Sequence, residues 1–184
     1  MTDYNSQAEE CRWIFAYGSL MWRPGFEFQN ALPARLSGYH RRLSVYSNHY
    51  RGTTEKPGLV LGLDRGGSCA GLAYEIAEGD WQQVLTYVRA REMIGGVYRE
   101  IVKRIFVQGQ SEPVAAVTYA VRRGHEQCAP PQSIADTMAY IEQGWGQSGS
   151  CVEYVKNTLA HLRSMGIYDS GLEKLEPYLR QADT

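Results

Sequence analysis

Glu92 stands eleven residues beyond Trp81, with Val84, Leu85 and Val88 following the tryptophan at i+3, i+4 and i+7. At about 100° per residue, eleven steps return to within roughly 20° of the starting face. The count places a carboxylate on the apolar stripe of its own helix. Asp80 offers a cap before that helix and Gly95-Gly96 a stop after it, so Glu92 falls in the last turn. Desolvation and the negative end of the helix dipole both disfavour the charged form and raise its pKa. A carboxyl tuned in this way suits general acid/base work near neutral pH. The spacing equally admits a structural ion pair with Arg89, Arg91 or Arg99.

A second candidate is Tyr17-Gly18-Ser19-Leu20, which closes the apolar run that starts at Trp13. A glycine there lets successive backbone N–H groups curl around an anion, and Ser19 adds a hydroxyl donor. The same residues would also serve as a plain strand-ending turn. From Phe28 to Thr54 the chain carries Arg35, Arg41, Arg42 and Arg51 and no acid, and fifteen of its 19 basic residues are arginine. Guanidinium pairs bidentately with planar carboxylates. The stretch is therefore expected either to meet a small carboxylate ligand or to lie solvated on the surface. The 13 tyrosines either line a pocket or pack.

Other chemistries find little support. Cys11, Cys69, Cys128 and Cys151 form no CxxC, and His40, His49, His125 and His161 form no HxH or HExxH, so no metal is assigned. No GxSxG elbow marks a serine nucleophile, and no GxGxxG or GxxxxGK after a strand marks a nucleotide site. A net charge of -1 argues against a general nucleic-acid binder. The polar N-terminus lacks a signal-peptide pattern and no 18-residue apolar run occurs, so a soluble, cytoplasmic protein with reduced thiols and no membrane contact is expected.

The elements that must position these residues read as follows. With 184 residues, 43% of them hydrophobic, the chain is expected to form a single domain behind a polar tail at 1–11. Strands are expected at 13–17, at about 34–46, at 58–64 and 69–76 joined by a hairpin loop at 64–68, and at 98–107 and 113–121, both largely buried. Beyond Pro130-Pro131, helices are expected from Ser133 to Gln143, from Ser148 to Met165 and from Ser170 to about Gln181, each opening at a capping serine. Strands that do not alternate regularly with helices predict an α+β fold with a mostly antiparallel sheet or small barrel.

Four ordered segments, FAYGSLMW at 15–22, RGTTEKPGLVLGLD at 51–64, REMIGGVYRE at 91–100 and GQSGSCVEYV at 146–155, resemble the ChaC-type γ-glutamylcyclotransferases, the glutathione-specific branch. The resemblance spans roughly residues 12–168. It implies a small β-barrel with flanking helices and cleavage of glutathione to 5-oxoproline and cysteinylglycine, with no cofactor and glutathione as the small-molecule partner. It also implies that Tyr17, Gly18, Ser19 and Leu20 hold the γ-glutamyl group and that Glu92 is the catalytic acid/base. Arg51 matches a family arginine assigned to substrate or loop positioning. Tyr98 and Tyr154 match family tyrosines near the pocket, whose hydroxyls either bind substrate or bond backbone. The sequence departs from the family pattern at Gly95-Gly96-Val97-Tyr98, where the tyrosine is shifted by one, and at Cys151, where an asparagine is common. Two other readings remain: the same cyclisation on other γ-glutamyl amino acids or amines, and a non-catalytic binding module of the same fold.

Overall fold

The computed structural model describes residues 4–181. Two compact units emerge, one built from the chain up to Arg41 together with Leu63–Arg122, the other from Arg42–Gly62 together with the chain from Arg123 onward.

Strands β1 (Trp13–Ala16), β2 (Asn30–Ser47), β3 (Gly58–Glu75), β4 (Tyr98–Val107) and β5 (Val114–Val121) close a barrel in the order β1-β3-β2-β4-β5. β1 runs antiparallel to β3 with Trp13 opposite Glu75, and β4 antiparallel to β5 with Tyr98 opposite Val121. A short parallel pairing of β1 with β5, Trp13 opposite Ala116 and Ile14 opposite Val117, completes the ring. Ile14, Phe15, Leu36, Leu63, Ile105 and Val117 are among the apolar side chains buried in this unit. The α+β class and the mostly antiparallel barrel are as expected.

Two strand expectations are corrected. The stretch 58–76 is not a pair of strands around a hairpin loop but one 18-residue strand, β3. Gly66 and Gly67 take φ of 103° and 66°, left-handed values that allow the strand to bend at its exposed middle and continue. β4 is buried on one parity only: Ile101, Ile105 and Val107 face inward, while Phe106 is 53% exposed. Apolar residues on both parities therefore overstate burial here, and β5 alone of this pair is buried along most of its length.

The segment read as a polar tail carries a helix, α1 (Tyr4–Glu9), and residues 1–3 of it lie outside the described residues. Ala8 and Cys11 are buried, and the Trp81 indole donates to the Ala8 carbonyl at 3.0 Å. Trp81 opens α2 (Trp81–Glu92), in which Trp81, Val84, Leu85 and Val88 are all buried, as their spacing requires. Asp80 stands at the cap position but makes no side-chain cap bond, because its backbone is still αR at the end of a 3-10 turn over Glu78–Asp80. Gly95 and Gly96 take φ of 77° and 73° and end the helical run, leaving Glu92 as the last residue of α2.

In the second unit, Ser133 caps α3 (Ile134–Gln143) by accepting from the Asp136 N–H at 3.1 Å, as expected. The next helix starts later than its Ser148 signal suggested. Residues Trp145–Gly146 (β6) and Gly149–Ser150 (β7) pair first, and Ser150 then caps α4 (Cys151–Ser164). The last helix divides into α5 (Ser170–Glu173), capped by the Asp169 carboxylate instead of Ser170, and α6 (Glu176–Gln181). Pro177 has no N–H to bond back to Glu173, which is why one continuous helix does not form.

Candidate active site

The loop Tyr17-Gly18-Ser19-Leu20 leaves the end of β1 and turns at once into a 3-10 turn, Ser19–Met21. Its placement is over-determined. The Tyr17 hydroxyl donates to the Tyr119 carbonyl of β5 at 2.9 Å, and the Tyr17 carbonyl accepts from Arg41 Nε at 2.5 Å. The Tyr74 hydroxyl lies 3.0 Å from the Leu20 carbonyl and 2.9 Å from that of Met21. Phe26 and Phe28 pack on the Tyr74 ring with centroids 5.4 and 4.9 Å away, and burial pushes the Tyr74 phenol up to about 12, so it stays a donor.

Glu92 faces the same region from the end of α2, and one guanidinium connects the two. Arg91 Nη2 donates to Ser19 Oγ at 3.1 Å, and Arg91 Nε lies 3.3 Å from Glu92 Oε1. Arg91 Nη1 donates to the Arg23 carbonyl at 2.5 Å, with the Pro24 carbonyl and the Tyr87 hydroxyl each at 3.3 Å. The Glu92 side chain keeps 18% of its exposure, a narrow access to solvent. Burial holds its carboxyl above the usual carboxylate range, and the Arg91 charge opposes that shift without cancelling it. Glu92 is thus both paired with a neighbouring arginine and desolvated.

A second carboxylate stands beside this group. Glu100 of β4 takes a bidentate pair from Arg89, at 2.8 Å from Nε and 2.7 Å from Nη2, and a bond from the Tyr119 hydroxyl at 3.1 Å. Arg89 is therefore committed to Glu100 and not to Glu92. Burial and the charge of Glu100 raise the Tyr119 phenol far above its ordinary range, so it remains protonated. Tyr98 opens β4, half-buried, opposite Val121.

Arg51 and Tyr154 meet in the second unit. The guanidinium sits over the Tyr154 ring at 5.4 Å and donates from Nη1 to the Ser150 carbonyl at 3.1 Å. The buried Tyr154 hydroxyl accepts from the Leu61 N–H at 3.3 Å, a bond to backbone. The Cys151 thiol does what an amide side chain could do there, donating to the Leu59 carbonyl at 3.1 Å and accepting its N–H at 3.3 Å. Glycines surround the Arg51 backbone because nothing larger fits. A Cβ on Gly58 would stand 2.1 Å from the Arg51 carbonyl, and one on Gly144 2.5 Å from the same oxygen. Gly58→Ala is expected to cost about 2 kcal/mol of stability by forced overpacking, read as a lowered denaturant midpoint with unchanged slope.

Of the four arginines at 28–54, three are engaged by backbone carbonyls and one is exposed. Arg41 is buried on the carbonyls of Tyr17 and Ala70, Arg42 donates to the Ala129 carbonyl, and Arg51 to that of Ser150, while Arg35 is exposed. Guanidinium donors satisfy backbone acceptors as readily as carboxylates. What the sequence did not single out are Tyr74, Tyr119, the contact of Arg41 with the Tyr17 carbonyl and the role of Arg91 toward Ser19. Arg91 had a local signal in its position next to Glu92, and Arg41 in the acid-free arginine stretch, but neither signal names the partner.

Residues 12–182 match the family model described as ChaC-like protein. The chain belongs to the ChaC-like family. Among curated relatives, it is 33% identical over 168 residues to the glutathione-specific γ-glutamylcyclotransferase of Escherichia coli, covering 89% of this chain and 70% of that one. It is 30% identical over 154 residues to glutathione-specific γ-glutamylcyclotransferase 1 of Danio rerio, covering 82% and 79%. Among solved structures, the γ-glutamyl cyclotransferase specific to glutathione from yeast superposes with a TM-score of 0.80 at 21% identity, covering 92% of this chain and 97% of that one. The barrel and its helices are the γ-glutamylcyclotransferase-like fold.

Proposed function

We propose that this ChaC-like chain degrades glutathione, closing the γ-glutamyl unit into 5-oxoproline and releasing cysteinylglycine. The observation that carries the reading is the Ser19–Arg91–Glu92 connection, which sets an anchoring loop and a desolvated carboxyl side by side. The substrate brings its own nucleophile, the α-amine of the γ-glutamyl unit, so no serine or cysteine nucleophile is needed. The amine forms a bond to the γ-amide carbon as the bond to the cysteinyl nitrogen breaks. Glu92 takes the proton from the attacking amine and hands it to the departing nitrogen. Its raised pKa suits both steps, because the carboxyl is a stronger base than an exposed one and still gives the proton up.

The loop Tyr17-Gly18-Ser19-Leu20 is the anchor for the γ-glutamyl group. Ser19 and Leu20 open a helical turn and have no carbonyl within that turn to receive their N–H groups. Those donors and the Ser19 hydroxyl suit a carboxylate or the charge that develops on the carbonyl oxygen. Tyr98 is a further proposed substrate-binding residue of the first unit, and Arg51 and Tyr154, which support each other, are proposed as such in the second. The four free cysteines fit a cytoplasmic enzyme, in the compartment where glutathione keeps thiols reduced.

The test is incubation of the purified protein with glutathione and, separately, γ-glutamyl-alanine, without metal or nucleotide, following 5-oxoproline by mass spectrometry. Product from glutathione alone is expected. Product from both would widen the substrate class to γ-glutamyl amino acids. A folded sample that yields none from either would be a binding module and not an enzyme.

A further inference from the structure

We propose that Arg91 is the positioning residue of this site, holding the Ser19 hydroxyl and the Glu92 carboxylate in fixed directions. The proposal rests on the reaction assigned above and goes beyond it.

Counting donors leads there. A guanidinium has five N–H groups and no acceptor. Arg91 directs Nη1 at the Arg23 and Pro24 carbonyls, Nη2 at Ser19 Oγ, and Nε at Glu92, so its fork is engaged by the protein on every nitrogen. Four of its five N–H groups are taken in this way, which leaves at most one, on Nη2, for a substrate. Because Arg91 can only donate, Ser19 Oγ must accept in that contact, and the hydroxyl proton is left to point elsewhere. Ser19 is thereby fixed as a donor toward whatever the loop holds. The same guanidinium ties residues 19–24 to the end of α2, so anchor and base move as one body.

The groups acting on Glu92 are few. On its own helix Arg91 is the charge that opposes burial. From β5 the Tyr119 phenol feels the Glu92 charge, and Tyr119 is itself engaged by Glu100 of β4, which Arg89 neutralises. Removing the Arg91 charge leaves burial unopposed, so the Glu92 titration moves to higher pH.

The experiment compares the full chain with Arg91→Met, Arg91→Lys, Ser19→Ala and the Ser19→Ala/Arg91→Met double variant. Two readouts are taken: kcat and KM for glutathione, and the Glu92 carboxyl titration by carbon NMR, assigned with Glu92→Gln. Arg91→Met is expected to lower kcat/KM about 10²-fold, mostly in kcat, the scale on which small misplacements act. Its Glu92 titration shifts upward. Arg91→Lys restores the titration, since the charge returns, yet stays slow because a point charge cannot serve Ser19, Glu92 and the Arg23 carbonyl together. The double variant falls no more than about threefold below Arg91→Met, as coupled residues do.

A Glu92 titration unmoved in Arg91→Met, or Ser19 and Arg91 losses that simply multiply, would overturn the proposal. If Arg91→Met does not fold, Arg91→Lys decides, and wild-type kcat/KM in that variant overturns it. Failure of the assigned reaction shows separately, as absence of 5-oxoproline from the unmodified protein, and the NMR titration still reads the Arg91 claim.

Discussion

Glu92→Gln is expected to abolish 5-oxoproline formation, lowering kcat by about 10³-fold, within the range for loss of a general acid/base, while circular dichroism and thermal midpoint show an intact fold. Glutamine keeps the shape and the contact with Arg91 and cannot carry the proton. The stability change has a definite sign. Glu92 has a folded pKa raised above its unfolded value, so the folded state binds the proton more tightly. The stabilisation from that proton is full below the ordinary carboxylate pKa and is lost as pH rises through the raised one. Above the ordinary carboxylate pKa the raised folded pKa therefore costs stability, and the glutamine variant, which carries no titrating proton, is expected to melt at or above the wild-type temperature. Activity runs the other way: the base form is needed, so kcat/KM falls as pH drops through the raised Glu92 pKa, and that acidic limb lies above the ordinary carboxylate range. A residual rate in the glutamine variant comparable to wild type would move the proton carrier elsewhere.

Arg41→Met is expected to be the most destabilising substitution near the site, at about 3 kcal/mol from leaving polar partners unpaired. Arg41 is 6% exposed, and its Nε and Nη2 meet the carbonyls of Tyr17 and Ala70 at 2.5 and 2.6 Å. Methionine fills the volume, but backbone acceptors cannot be mutated away, so the Tyr17 carbonyl is left buried without this partner. For a chain of this length the loss corresponds to roughly 6–12 °C in the melting temperature. The loop that starts at Tyr17 would also loosen, so KM for glutathione should rise along with the loss of stability. A melting temperature within 2 °C of wild type, about the effect of a neutral surface change, would show that the carbonyl finds another partner.

How much of this was legible differs from residue to residue. The period of Trp81, Val84, Leu85 and Val88 placed Glu92 on a buried face at a helix end, and the structure puts it there. Helical periodicity is a local property, carried by consecutive residues with few exceptions, and survives into the fold. Caps were less secure. Ser133 caps as expected, but Ser148 gives way to Ser150 because a two-strand pairing takes up the intervening residues, and Asp169 wins over Ser170 because its carboxylate reaches two N–H groups. The Asp64–Ser68 stretch, rich in turn formers, stayed within one strand, since left-handed glycines permit a bend as well as a reversal.

The partnerships of the site were not legible in the same way. Arg41 and Tyr17 lie 24 residues apart and Ser19 and Arg91 lie 72 apart. Arginine donors accept any oxygen, so nothing in the type of the residue says that Arg41 will hold a backbone carbonyl, Arg91 a serine and Arg89 a glutamate. The sequence by itself determined the carboxyl at the helix end, the glycine-bearing loop after the first strand, the class of fold and, through four ordered motifs, the family. Only the tertiary structure decided which arginine serves which acceptor, because hydrogen-bond partners are chosen by barrel closure and strand register, and those belong to the whole chain and not to any segment of it.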